Sequence, residues 1–115
     1  MIFLQLVPED TVSLLLRGAC LVGIQEFRRG LADVNVVLMY DPCSRAYLVK
    51  GDALYHLGEF EHALVFYHRA LARSCSNREE EAIRFGIGRA QMAVSNALGE
   101  KAAAHFKAMS GLIHK

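Results

Sequence analysis

The sequence has no tryptophan, two prolines, three cysteines and no excess of either charge. Each shortage removes a class of protein. With so few prolines and helix formers in every long segment, a sandwich or barrel built from many turns is disfavoured and an all-α fold is expected. Three cysteines, Cys20, Cys43 and Cys75, are an odd number and too few to staple a small secreted scaffold, so reduced thiols in the cytosol are expected. Thirteen Lys and Arg stand against twelve Asp and Glu, a formal charge of +1 that offers no long-range field for nucleic acid or an anionic membrane. No run reaches the ~20 apolar residues needed to span a bilayer. The apolar start from Met1 to Val7 lacks a basic leader and is stopped by Pro8, Glu9 and Asp10, so it does not read as a signal peptide.

What is present is an ordinary globular balance in 115 residues, 53% hydrophobic and 22% charged, enough for one folded domain and too little for two. Laid on itself with a shift of 33, the chain pairs Leu15 with Leu48, Gly18 with Gly51, Leu21 with Leu54, Glu26 with Glu59, Phe27 with Phe60, Leu31 with Leu64 and Leu38 with Leu71. All but the glutamate pair are small or apolar, as expected of two copies of one supersecondary unit that keep their packing positions. Each unit reads as two helices. In the second, Ala46, Val49, Ala53 and Leu57 recur at helical spacing, Gly58 and Glu59 interrupt, and Phe60, Ala63, Tyr67 and Ala70 resume the stripe. Mid-helix Gly51 and Ala63, like Gly18 and Gly30, predict close helix crossings, since glycine there otherwise costs up to ~1 kcal/mol. The second helix of the first unit should run from about Phe27 to Tyr40 and stop at Asp41-Pro42. Behind a Ser76 or Asn77 cap, Glu79 to Glu81 suit the first turn of a long helix ending near Gly99, with a short amphipathic helix or tail after it.

Enzymatic signals fail on spacing. His56, His62 and His68 lie six apart, and six residues at ~100° each put neighbours on different helix faces, so they do not converge on a metal. No CxxC or HxxxH pair exists, and no metal or cofactor is expected. Phe85-Gly86-Ile87-Gly88 lacks both the third glycine and the preceding strand of a dinucleotide loop, and Gly86 fits the close-packing role of Gly18 and Gly51 instead. No nucleophile signature such as GxSxG occurs, so no small-molecule substrate is expected and the chain is not expected to be an enzyme. Arg28-Arg29 and the stretch from Arg69 to Arg73 are basic, but nearby glutamates make solvated helix faces the simpler reading than a phosphate groove. Phe66 stands off the Ala63-Tyr67-Ala70 stripe and is either packed on the next unit or exposed for a partner.

These residues resemble the tetratricopeptide repeat: Tyr47, Gly51, Gly58, Phe60, Ala63, Tyr67 and Ala70 in one unit, Leu14, Gly18, Phe27, Gly30 and Pro42 in the other. In the first, Gln25 replaces the turn glycine and Val37 an expected alanine. The resemblance implies an all-α, tetratricopeptide-type α-solenoid over 9–99. Its parts are repeats at 9–42 and 43–76 and a longer capping helix at 77–99, followed by a short helix or tail at 100–115. Residues 1–8 would be the remnant of a preceding repeat, implying a truncated array or a partner chain. In this family successive first helices line a concave groove. The candidates here are Val12, Leu15, Ala19 and Val22, then Arg45, Leu48, Asp52, Tyr55 and His56, then Ile83, Ile87 and Gln91, with Phe66 as a further partner-binding residue. The carboxylate clamp of co-chaperone repeats is missing, because Leu15, Ala19 and Val49 occupy its lysine and asparagine positions and Asp52 would repel a carboxylate.

The stretch from Gly58 to Arg69, with Phe85, Gly86-Ile87, Arg89-Ala90-Gln91 and Ala93-Val94, is similar to the repeat region of tetratricopeptide subunits of outer dynein arm docking complexes. That resemblance covers about Arg45 to Gly99. It implies a non-catalytic adaptor, cytoplasmic and at the ciliary axoneme, whose partners are outer-arm dynein and docking coiled coils. The alternative is a general cytosolic repeat adaptor of a chaperone or trafficking complex.

Overall fold

The computed structural model describes the backbone of residues 8–113 and the side-chain surroundings of residues 10–101. Five helices follow one another: α1 (Pro8–Gly23), α2 (Phe27–Tyr40), α3 (Ser44–His56), α4 (Phe60–Ala72) and α5 (Asn77–Ile113), with no strand among the described residues. Helices α1 and α2 form one hairpin and α3 and α4 a second, while α5 packs along α4. The expectation for Met1 to Val7 lies outside the described residues.

The two hairpins turn in the same way, atom for atom. Helix α1 ends with the N–H of Glu26 on the carbonyl of Leu21 (2.8 Å) and that of Gln25 on Val22 (3.1 Å). Helix α3 ends with Glu59 on Leu54 (2.9 Å) and Gly58 on Tyr55 (3.0 Å). This double closure requires a left-handed residue at its centre, and Gln25 (φ 71°) and Gly58 (φ 85°) supply it. The turn glycine that the first unit lacks is thus replaced in sequence but not in conformation. Helix α2 stops at Tyr40 because Pro42 follows. Helix α5 is capped by Ser76, whose Oγ accepts the N–H of Glu79 at 3.2 Å.

Close crossings occur where the small residues stand. A side chain on Gly30 would meet the carbonyl oxygen of Gly18 at 2.9 Å and Val22 at 2.7 Å, so α1 and α2 touch almost backbone to backbone. In the second hairpin the small residue makes room for a ring instead. A Cβ on Gly51 or on Gly86 would lie 2.7 Å from Tyr67, so the fully buried Tyr67 ring sits between glycines of α3 and α5. Around it pack Ala63, Ala70, Ile83 and Ala90, none of them exposed. Ser44 Oγ donates to the carbonyl of Ala70 at 2.9 Å and ties the start of α3 to the end of α4.

Helix α5 departs from expectation in length. It runs through Gly99 as one helix to Ile113, rather than ending there and giving way to a short one. The cause is energetic: one helical glycine costs about 1 kcal/mol, and the flanking Ala97, Leu98, Glu100 and Lys101 are good helix formers. Ending one helix and nucleating another costs more.

Candidate interaction groove

Helix α3 carries Leu48, Asp52 and His56 at four-residue spacing, which sets them in one row. Facing that row are Val22, Gly23, Gln25 and Phe27 from the α1–α2 turn, and Ala82, Phe85 and Arg89 from α5. Together they enclose an open groove of about 550 Å³. Its walls are aromatic: Phe27 stacks on His56 (centroids 4.7 Å apart, planes at 10°), and His56 meets Tyr55 edge-on at 5.3 Å.

The floor is a polar cluster joining three helices. Tyr67 donates its hydroxyl hydrogen to Asp52 Oδ1 at 2.5 Å, and Arg89 Nη2 donates to the same oxygen at 3.3 Å and to the Tyr67 oxygen at 3.4 Å. The Arg89 guanidinium lies over the Tyr55 ring at 4.1 Å, with Phe85 5.6 Å away, so it is held by cation–π contact as well as by charge. Its Nε is buried without a hydrogen-bond partner. Burial pushes the Asp52 carboxyl above its ordinary range, against the opposing pull of Tyr67, Arg89 and His56. Burial and the bond to Asp52 also push the Tyr67 hydroxyl above the usual tyrosine range. The tyrosine hydroxyl therefore keeps its proton at neutral pH and is the donor in its bond to Asp52.

Of the groove residues read from the sequence, Val22, Leu48, Asp52 and His56 line this hollow, and Tyr55 forms the platform under Arg89. Val12, Leu15 and Ala19 do not line it. Arg45 and Phe66 are also elsewhere. Arg45 lies at the far end of α3, in a separate hollow with Pro42, Arg73, Cys75 and Glu79. Phe66 stands half-buried beneath Lys50 and Arg69, against Tyr47, and takes no part in the groove. The α5 contribution also differs: Ile83, expected in the groove, is fully buried, and Phe85 and Arg89 line it in place of Ile83, Ile87 and Gln91. The small and apolar row Ile83, Gly86 and Ala90 was the available signal, since it marks the face that packs inward and leaves Ala82, Phe85 and Arg89 beside the groove.

Among the described residues no group of three His, Cys, Asp or Glu is placed to hold a metal, and no helix is long and apolar enough to cross a membrane. The three cysteines are free thiols, two exposed and one half-buried. What the fold and the groove define is an all-α stack of helical hairpins with a preformed, aromatic-walled cleft. No protein-family model matches the chain. It is 36% identical over 97 residues, 84% of its length, to the human protein named outer dynein arm-docking complex subunit 4. The proteins of that name from cattle (35% over 97 residues) and Xenopus laevis (35% over 100 residues, 86% of the chain) are similarly related. The chain spans a small part of these relatives, 14% of the human and bovine proteins and 18% of the frog protein.

Proposed function

We propose that the chain is a non-catalytic tetratricopeptide-type scaffold whose groove takes a segment of a partner protein, and that it serves in docking outer dynein arms at the ciliary axoneme. The observation that carries the binding role is the Asp52–Tyr67–Arg89 floor. It holds a cation in a fixed place on an aromatic platform before any partner arrives, so little side-chain entropy is lost on binding. Aromatic residues and an arginine at the centre of a concave surface form the composition in which binding energy concentrates. The docking context is supported by the names of the relatives, and the partners it implies are outer-arm dynein and docking coiled coils.

The test is affinity capture by the tagged full chain from axonemal extract of ciliated cells, with mass spectrometry of the eluate, alongside His56→Ala/Phe85→Ala. Both side chains are exposed, so the substitutions leave the core intact. Wild-type chain should recover outer-arm dynein or docking coiled-coil subunits, and the double variant should lose them. Equal recovery by both would exclude the groove. Chaperone or trafficking subunits in their place would favour the general adaptor.

A further inference from the structure

The two hairpins treat one pair of equivalent positions in opposite ways. In the first, Arg17 of α1 is gripped by Asp33 of α2 through two parallel bonds, Nε to Oδ2 and Nη2 to Oδ1, both 2.7 Å long. A shift of 33 carries Arg17 to Lys50 and Asp33 to Phe66. The cation is kept and its carboxylate is replaced by a ring. Lys50 Nζ now lies 4.1 Å from the Phe66 centroid, and Arg69 approaches the same ring at 5.0 Å. Tyr47 stacks on Phe66 at 6.2 Å and carries Arg73 at 5.7 Å. Arg69 and Arg73 stand where the first hairpin has Val36 and Tyr40, so this concentration of cations belongs to the second hairpin alone.

Among the described residues none of Lys50, Arg69 and Arg73 has an acidic partner within ion-pair distance. Burial and the neighbouring Arg69 hold the Lys50 ammonium below its usual range, the condition of a cation that lacks a counter-charge. Lys50 is about 200° around α3 from Leu48, so this surface faces away from the groove.

We propose that the outer face of the α3–α4 hairpin is a docking surface for an acidic protein segment, whose carboxylates take the place that Asp33 fills in the first hairpin. Charge complementarity selects the occupant: two stacked rings hold three cations within one patch, and carboxylates would relieve their mutual repulsion. The near-neutral whole chain and the alternation of rings with cations fit a short acidic peptide better than a long polyanion.

The probe is a fluorescein-labelled oligoglutamate peptide, titrated with the full chain at low salt and followed by anisotropy. The wild-type chain should bind it and release it as salt rises. Lys50→Gln/Arg69→Gln should weaken binding by roughly tenfold. Phe66→Asp restores the internal carboxylate of the first hairpin and should abolish binding with helicity kept. The groove variant Phe85→Ala should bind as wild type, so failure of this surface and failure of the groove are distinguishable. Absence of wild-type binding at low salt, binding unchanged in the double variant, or tighter binding of a single-stranded oligonucleotide of equal charge would each overturn the proposal.

Discussion

Gly51 is the residue on which the second hairpin most depends, because its missing side chain is the space that Tyr67 occupies. The ring has no room to retreat, since it packs as closely on Gly86, where an added Cβ would also lie 2.7 Å from it. Gly51→Ala should therefore destabilise by about 2 kcal/mol through overpacking. Gly88, in the same helix as Gly86, gives the opposite expectation, because nothing lies within 4 Å of the place a Cβ would take there. Gly88→Ala should stabilise by up to about 1 kcal/mol by helix propensity alone. Thermal melts of the two variants should move in opposite directions. Asp52 makes a second prediction at this scale. Its folded-state pKa lies above the ordinary value of 3.8. The folded chain then binds more protons than the unfolded one, so this group favours folding at low pH and ceases to as pH rises through the raised pKa. The stability of wild type relative to Asp52→Asn should increase as pH falls toward 3.8 and level off below it. A constant difference across that range would mean that burial does not perturb the carboxyl.

At the scale of elements, the matched turns after α1 and α3 allow a direct exchange. Gln25 adopts the left-handed conformation at a cost that Gly58 avoids. Gln25→Gly should stabilise by about 1 kcal/mol, and Gly58→Ala should destabilise by a similar amount. Denaturant midpoints would check both, and a loss on Gln25→Gly would place the strain elsewhere. These elements are legible in the sequence because their signals are local. Phe27 and Tyr40 bound α2 where the apolar stripe begins and where Pro42 forbids continuation, and the Ser76 cap precedes three glutamates. Helix α5 reads too short from sequence, because Gly99 resembles a stop signal when its strong helical flanks are not weighed with it.

At the scale of the molecule, Tyr67 joins the second hairpin to α5, filling the space between α3 and α5 while its hydroxyl helps build the groove floor. Tyr67→Ala should cost about 3 to 5 kcal/mol, a large part of a small domain's stability, and should lower helicity in one transition. Val65→Ala, at an exposed position of the same helix, should stay within about 0.5 kcal/mol. Circular dichroism of the two variants measures the contrast. One side chain thus couples core and groove, so partner affinity and stability should fall together in Tyr67 variants and separate in Phe85 variants.

Sequence by itself determined the all-α class, the hairpin pairing and the positions where helices approach closely. These follow from periodicity, small residues and stop signals, each confined to a few neighbours along the chain. Tertiary structure decided which side chains share the groove. The rotation of α5 about its axis is set where Gly86 receives Tyr67, and that brings Arg89 to Asp52 and Tyr55 while Ile83 turns inward. The same packing leaves Phe66 on the outer face with Lys50, and not beside Tyr55. Asp52 and Arg89 stand 37 residues apart, and no local pattern encodes a contact at that distance. It arises only when the helices are docked and each finds the single rotation that fills the space between them.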